Sequence, residues 1–292
     1  MADGENRSAS GVRVGTSAFT AAGWEGSFYP AGMSPRDYLS YYATQFDTVE
    51  IDSSFYRTPS LSTVKGWYEN TPANFLVAAK IPQAITHEKI LVDCDEEFEE
   101  FVSRMVVLKE KLGPLLLQFP YFNKLAFKSA AEFLNRLRAF LKRWKRRSYR
   151  MAVEIRNKSW LNAGFAELLR EYDVALVLQD QAWMPRPGEL FEKLDPITAD
   201  FTYVRLLGHR KRIEEQTKTW DRVFVNRTAE VGEWVRYLRP VMQRGVQVLV
   251  YVNNHYSGHA PATAEMFRKQ WGGAEASRPD TERRHRSGRL FE

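Results

Sequence analysis

The chain has 292 residues, 44% of them hydrophobic, enough for one large domain or two small ones. A single cysteine, Cys94, excludes a disulfide-stapled scaffold and fits a reducing compartment. No run approaches the roughly 18 apolar residues of a membrane span, and the polar start MADGENRSASG lacks the apolar centre of a signal peptide. A cytoplasmic protein without membrane contact is therefore expected. The net charge of +6 is local: residues 136–150 hold eight basic residues and no acid, leaving 34 basic against 36 acidic residues elsewhere.

Residues 1–10 and 273–292 are polar and read as flexible tails around one domain at 11–272. Inside it, short apolar runs bounded by turn residues mark eight strands, at 12–17, 48–53, 75–81, 114–120, 151–156, 174–180, 202–207 and 246–254. Helical patterns lie between them, at 35–46, 60–70, 95–112, 129–147, 160–172, 232–244 and 261–271. Gly113 and Gly245 stand where helix C-caps belong. The 181–201 connection carries Pro185, Pro187 and Pro196 and leaves room only for a short helix. Eight strand–helix alternations predict an α/β fold, a single-domain (β/α)₈ TIM barrel. The rival, a doubly wound open sheet, calls for a G-x-G-x-x-G or phosphate-loop motif, and the chain has neither.

Alternation along the strands assigns polar residues to the barrel interior. In TVEIDS, Val49 and Ile51 face helices while Glu50 and Asp52 face inward. In MAVEIR, Glu154 and Arg156 face inward by the same logic, as do Lys80 and Arg205 in their strands. Gln118 and Asp180 close their strands, and Asn253 and Asn254 close the last one. Buried charge costs several kcal/mol unless paired or functional. One reading pairs three acids with three bases as a structural network. The other places a polar cup at the strand C-termini, where barrel active sites lie. In that cup Glu154 and Glu50 are the candidate acid and base. Lys80, Arg156 and Arg205 would hold an anion, while Gln118, Asp180, Asn253 and Asn254 would orient polar groups. Trp24, Tyr56, Trp160 and Tyr256 are candidate stacking walls.

His87, His209, His255 and His259 fall in or just after post-strand loops, so a divalent metal with Glu50, Glu154 or Asp180 as co-ligands is conceivable. No H-x-H or H-E-x-x-H spacing demands one. Cys94, in DCDEEFEE, sits in a negative field that should raise its thiol pKa. The basic stretch 136–150 reads as a solvated helix face, or as a dock for nucleic acid. It lies at the strands' N-terminal end, opposite the cup.

GTSAF at 15–19, WEGSFYP at 24–30, FDTVEIDSSFYRTP at 46–59, AAKIPQAITHE at 78–88, LLLQFP at 115–120, VEIRNKSW at 153–160, YVRLLG at 203–208 and YVNNHYSGHAP at 251–261 resemble, in this order, the YecE-like family, domain of unknown function 72. The resemblance covers about residues 11–271. It implies a TIM barrel with a polar pocket at the strand C-termini and a loose likeness to hydrolytic endonuclease and sugar isomerase barrels, without a settled activity. Phe19, Asp52, Asn157 and Leu207 stand where this family commonly carries Trp, Asn, His and His. The inward Glu154–Arg156 and Glu50–Asp52 pairs lead to the expectation of an enzyme acting by acid–base chemistry on an anionic, hydroxyl-bearing small molecule or nucleic-acid end. The alternative is a non-catalytic module binding nucleic acid or an anionic metabolite.

Overall fold

A computed structural model describes residues 11–144 and 149–272. Both expected tails, and residues 145–147 of the expected fourth helix, lie outside the described residues. Eight parallel strands form one sheet: β1 (Val12–Thr16), β2 (Thr48–Ile51), β3 (Leu76–Lys80), β4 (Leu112–Gln118), β5 (Met151–Glu154), β6 (Ala175–Gln181), β7 (Phe201–Gly208) and β8 (Gln247–Val252). Their order, β1-β8-β7-β6-β5-β4-β3-β2, is that of a barrel cut between β1 and β2.

That seam is held by side chains. The β1 backbone amide of Thr16 donates to Tyr42 Oη at 2.9 Å, and Tyr42 Oη donates to the β2 carbonyl of Thr48 at 3.1 Å. Tyr42 comes from α1 (Tyr38–Gln45), the crossover between the two strands. Gly15 permits the approach, since a Cβ there would lie 2.0 Å from the Thr48 carbonyl oxygen. A helix element follows each later strand: α2 (Leu61–Glu69), α3 (Asp95–Met105), α4 (Ala130–Trp144), α5 (Ala163–Glu171), α6 (Pro187–Lys193), α7 (Arg210–Glu214) with α8 (Thr228–Gln243), and α9 (Ala260–Gly272). The short α6 fits its proline-rich connection, and Gly245, with φ +83°, ends α8 as a C-cap glycine should.

Two boundaries differ from expectation. The helix from 95 stops at Met105 and tightens into a 3₁₀ stretch, Val106–Lys111, with Lys109 at φ 50°. Beyond it Lys111 Nζ donates to the carbonyl oxygens of Tyr68 (2.5 Å) and Thr71 (2.6 Å), which ties the chain down before β4. Gly113 is no helix cap. It lies inside β4, where a Cβ would stand 2.8 Å from the Ala78 nitrogen of β3.

The strand faces separate two apolar layers. Val49, Ile51, Val77, Leu117, Val153, Leu176, Leu178, Val204 and Val250 join the large core between barrel and helices. Leu76, Ala78, Leu116, Ala152, Ala175, Val177, Phe201, Tyr203, Leu249 and Tyr251 plug the interior. This inner plug leaves only the upper interior for polar groups. Cys94 is buried, and burial with the neighbouring Asp95 and Glu97 charges pushes its thiol up to about 11, so it is an inert thiol. No helix among the described residues is long and apolar enough to cross a membrane.

Candidate functional site

Arg205 is the centre of the upper interior. It extends β7 two residues beyond Tyr203 and keeps the inward face. Its Nε and Nη2 donate to Glu50 Oε1 at 3.2 and 2.8 Å, and its Nη1 donates to Glu154 Oε2 at 2.7 Å. Asp52 Oδ1 accepts from Nη2 at 3.4 Å. Glu50 Oε2 accepts from Tyr203 Oη at 2.6 Å, and Glu154 Oε1 from Arg156 Nε (3.0 Å) and Nη2 (2.8 Å). All four glutamate oxygens are therefore occupied. Arg205, Glu50 and Glu154 are buried, whereas Arg156 keeps 22% of its side chain exposed.

The same pairing separates the two glutamates electrostatically. Burial raises the Glu50 carboxyl against the pull of Arg205. Glu154 also suffers burial, but the Arg205 and Arg156 charges outweigh it and hold the carboxyl down to about 2. Burial lowers Lys80, partly offset by Asp52, whose Oδ1 lies 3.7 Å from Lys80 Nζ. The ammonium also sits 3.7 Å above the Phe55 ring centroid.

Above this network opens a cavity of about 690 Å³ at the strands' C-terminal end. Of the sequence-derived candidates, Asp52, Tyr56, Lys80, His87, Gln118, Arg156, Arg205 and Asn253 line it. His87 enters on a π-helical turn, Ala84–Glu88, after β3. Its Nδ1 bonds Thr86 Oγ1 at 2.9 Å. Burial, then the charges of Lys80 and Arg156, lower it to about 4, so it is neutral at neutral pH.

The other candidates stand elsewhere. Glu50 and Glu154 lie behind the wall, their oxygens taken by arginine and tyrosine, which removes them from direct acid–base contact with anything in the cavity. Trp24 is buried, its Nε1 donating to Asn254 Oδ1 at 3.2 Å. That oxygen also accepts the Ala260 amide at 2.8 Å, so neither residue reaches the cavity. Trp160 packs on Phe122 and Phe133 at centroid distances of 5.9 and 5.4 Å. Tyr256 is buried and donates to Asp180 Oδ2 at 2.9 Å, as does Trp234 Nε1. Asp180 thus belongs to the helix-facing side of β6. The inward residues there are Gln179 and Gln181, in phase with Ala175 and Val177. Gln181 lines the cavity, a position that consistent use of the alternation would have found.

The cavity also takes Phe55, Tyr121, Trp183, Leu207, Arg210 and His255, all in loops or at strand ends where no period guides a sequence reading. His255 is engaged at both ring nitrogens, Nδ1 to Asn253 Oδ1 (2.6 Å) and Nε2 to Glu214 Oε1 (3.0 Å). His209 Nδ1 caps α7 by accepting the Arg212 amide, and His259 is buried. Among the described residues no three His, Cys, Asp or Glu side chains gather as metal ligands do. The donor set points the same way, because both glutamates are neutralised by guanidinium groups. Asn157, where histidine is common in the resembled family, clamps the β4 loop. Its Oδ1 accepts the Phe122 amide at 2.9 Å and its Nδ2 donates to the Phe122 carbonyl at 2.8 Å. In the basic stretch, Arg138 pairs with Glu171, Arg143 with Asp95 and Arg150 with Gln247, while residues 145–147 lie outside the described residues.

The model of the family described as "Protein of unknown function DUF72" matches residues 13–286. The chain belongs to the DUF72 family. UPF0759 protein YunF of Bacillus subtilis is 27% identical over 263 residues, 82% of this chain and 88% of its own length. UPF0759 protein YecE of Escherichia coli is 35% identical over 82 residues, 28% of this chain and 30% of its own. A DUF72 protein of Thermotoga maritima superposes with a TM-score of 0.69 at 28% identity, over 88% of this chain and 98% of that one. One from Enterococcus faecalis gives 0.66 at 20% identity, over 90% and 96%. These DUF72 relatives carry the barrel but no named reaction.

Proposed function

We propose that this DUF72 barrel is an enzyme that binds an anionic, hydroxyl-bearing small molecule or nucleic-acid end at its mouth and acts on it by acid–base chemistry. One observation carries the reading. Arg156 is fixed by Glu154 through Nε and Nη2, yet remains partly exposed on the cavity wall beside Lys80. Glu154 thus occupies two of the five N–H donors of a guanidinium and leaves the others for an anion. Arg205, by contrast, is spent on Glu50, Glu154 and Asp52 and acts by holding them.

Acid–base work falls to the groups that reach the cavity. His87, tied through Nδ1, keeps Nε2 for a substrate hydroxyl. Burial first, and then the Lys80 and Arg156 charges, hold it neutral, so an anion seated on the two cations offsets their part and raises its basicity. The protonated Nε2 then returns that proton to the substrate, with Asp52 and Lys80 lining the cavity as groups that orient it.

Calorimetric titration of inorganic phosphate and ribose 5-phosphate tests this. Wild-type protein should bind, and Arg156→Ala should bind at least tenfold more weakly while remaining folded at the temperature of the titration. Unchanged affinity in Arg156→Ala contradicts the reading. The catalytic part is tested by NMR of the incubated sugar phosphate with wild type and His87→Asn: turnover in the first and binding without turnover in the second. Binding without turnover in both selects the alternative, a non-catalytic anion-binding module, which the full pairing of the glutamates favours.

A further inference from the structure

We infer that the ligand of this pocket is a nucleoside phosphate, with its base stacked on an aromatic rim and its phosphate on the cationic wall below, an inference that rests on the anion-binding reading above. Among the described residues three aromatic side chains are strongly exposed: Tyr56 at 74%, Tyr121 at 65% and Trp183 at 51%. All three line this one cavity. Aromatics left in water at random would scatter over the surface.

Their origins in the chain are regular. Tyr56 follows β2, Tyr121 follows β4 and Trp183 follows β6, so the even-numbered strands supply the rings. Lys80 ends β3 and Arg156 follows β5, so odd-numbered strands supply the two open cations, while Arg205, inside β7, holds the carboxylates behind them.

Amide side chains complete the wall. Gln118, Gln181 and Asn253 line the cavity. These amides offer both donors and acceptors to the edge of a base or to a ribose hydroxyl. A sugar phosphate satisfies the cations and the amides but leaves three rings in water. A base covers them, because every base offers a π-face and an edge of alternating donors and acceptors.

Titration of the full chain with adenosine 5′-monophosphate, ribose 5-phosphate, glucose 6-phosphate and a 5′-phosphorylated single-stranded tetranucleotide tests the inference. Adenosine 5′-monophosphate should bind at least tenfold tighter than either sugar phosphate. The double variant Tyr121→Ala/Trp183→Ala, altered only at exposed positions, should lose that advantage and keep its affinity for ribose 5-phosphate. Tighter binding of the tetranucleotide than of the mononucleotide assigns the site to a strand end, and the reverse assigns it to a free nucleotide. Equal affinity for adenosine 5′-monophosphate and ribose 5-phosphate overturns this inference alone. No binding of either removes the anion site with it.

Discussion

At the N-terminal end of the barrel, cations close mainly on neutral oxygens, with Asp47 Oδ2 at 3.6 Å from Arg13 as a carboxylate partner. Arg13 Nη1 donates to the carbonyls of Asn74 (2.6 Å) and Asp47 (3.2 Å), Lys111 to those of Tyr68 and Thr71, and Arg150 to Gln247 Oε1 at 2.7 Å. At the C-terminal end, cations meet carboxylates, and two of them, Lys80 and Arg156, still face a cavity. The sequence spends the same residue types at both ends. What differs is the donor capacity left over: the lower cations tie the chain between strands, and the upper ones are organised yet unsaturated. Charge at a strand end therefore indicates a site only when the hydrogen-bond ledger around it stays open.

The sharpest way to break the comparison is Arg205→Met. It strands Glu50 and Glu154 in the interior without their cation, and breaking a buried pair in this manner costs about 3–5 kcal/mol. Urea unfolding measures it, and a loss under 1 kcal/mol would mean the glutamates had never been charged together. Lys111→Met probes the other end. Two carbonyls lose a charged donor, a loss of about 1–3 kcal/mol in the same experiment, while phosphate affinity at the mouth stays unchanged. A fall in affinity would show that the two ends are coupled.

Acid unfolding sharpens the picture. Glu154 is held at about 2, below its ordinary 4.5. A depressed carboxylate contributes stability that is complete above the unfolded value and disappears as pH falls through the folded one. Stability should therefore drop between about pH 4.5 and 2 with a slope of at most about 1.4 kcal/mol per pH unit from this group. Glu154→Gln should flatten that limb; an unaltered slope would assign it to other carboxylates. Glu50, raised by burial, acts with the opposite sign and in a separate window above pH 4.5, where stability rises as pH falls through its folded value. The smallest change is at the rim. Arg210 is exposed and pairs with Glu214 one helical turn on, so Arg210→Ala should cost no more than about 0.5 kcal/mol, and a larger loss would make α7 a structural prop.

The barrel and its charged interior were legible because both follow periods. Val49, Glu50 and Ile51 alternate, and the alternation survives folding since the helices and the plug dictate which face is apolar. Misassignments arose where the period was dropped or had ended. Asp180 stands at the end of its strand pattern, but Ala175 and Val177 set the inward phase, which Gln181 follows. Trp24, Trp160 and Tyr256 follow strands as Tyr56 does, but their loops fold back on the helices, and an aromatic's position after a strand does not encode exposure. Tyr121, Trp183 and Arg210 were missed for the same reason. The seam closed by Tyr42 depends on a helix side chain that no strand pattern reveals.

The account stands on Arg156 as a cation that is held but not used up. A single comparison tests this most directly: calorimetric affinity for ribose 5-phosphate in wild type and Arg156→Ala, with urea unfolding of the same two samples. At least a tenfold weaker affinity with a stability loss of about 1–3 kcal/mol, smaller than that of Arg205→Met, is the predicted result. Equal affinity, with the stability of Arg156→Ala lowered as deeply as that of Arg205→Met, would make the upper network a structural clamp like the lower one.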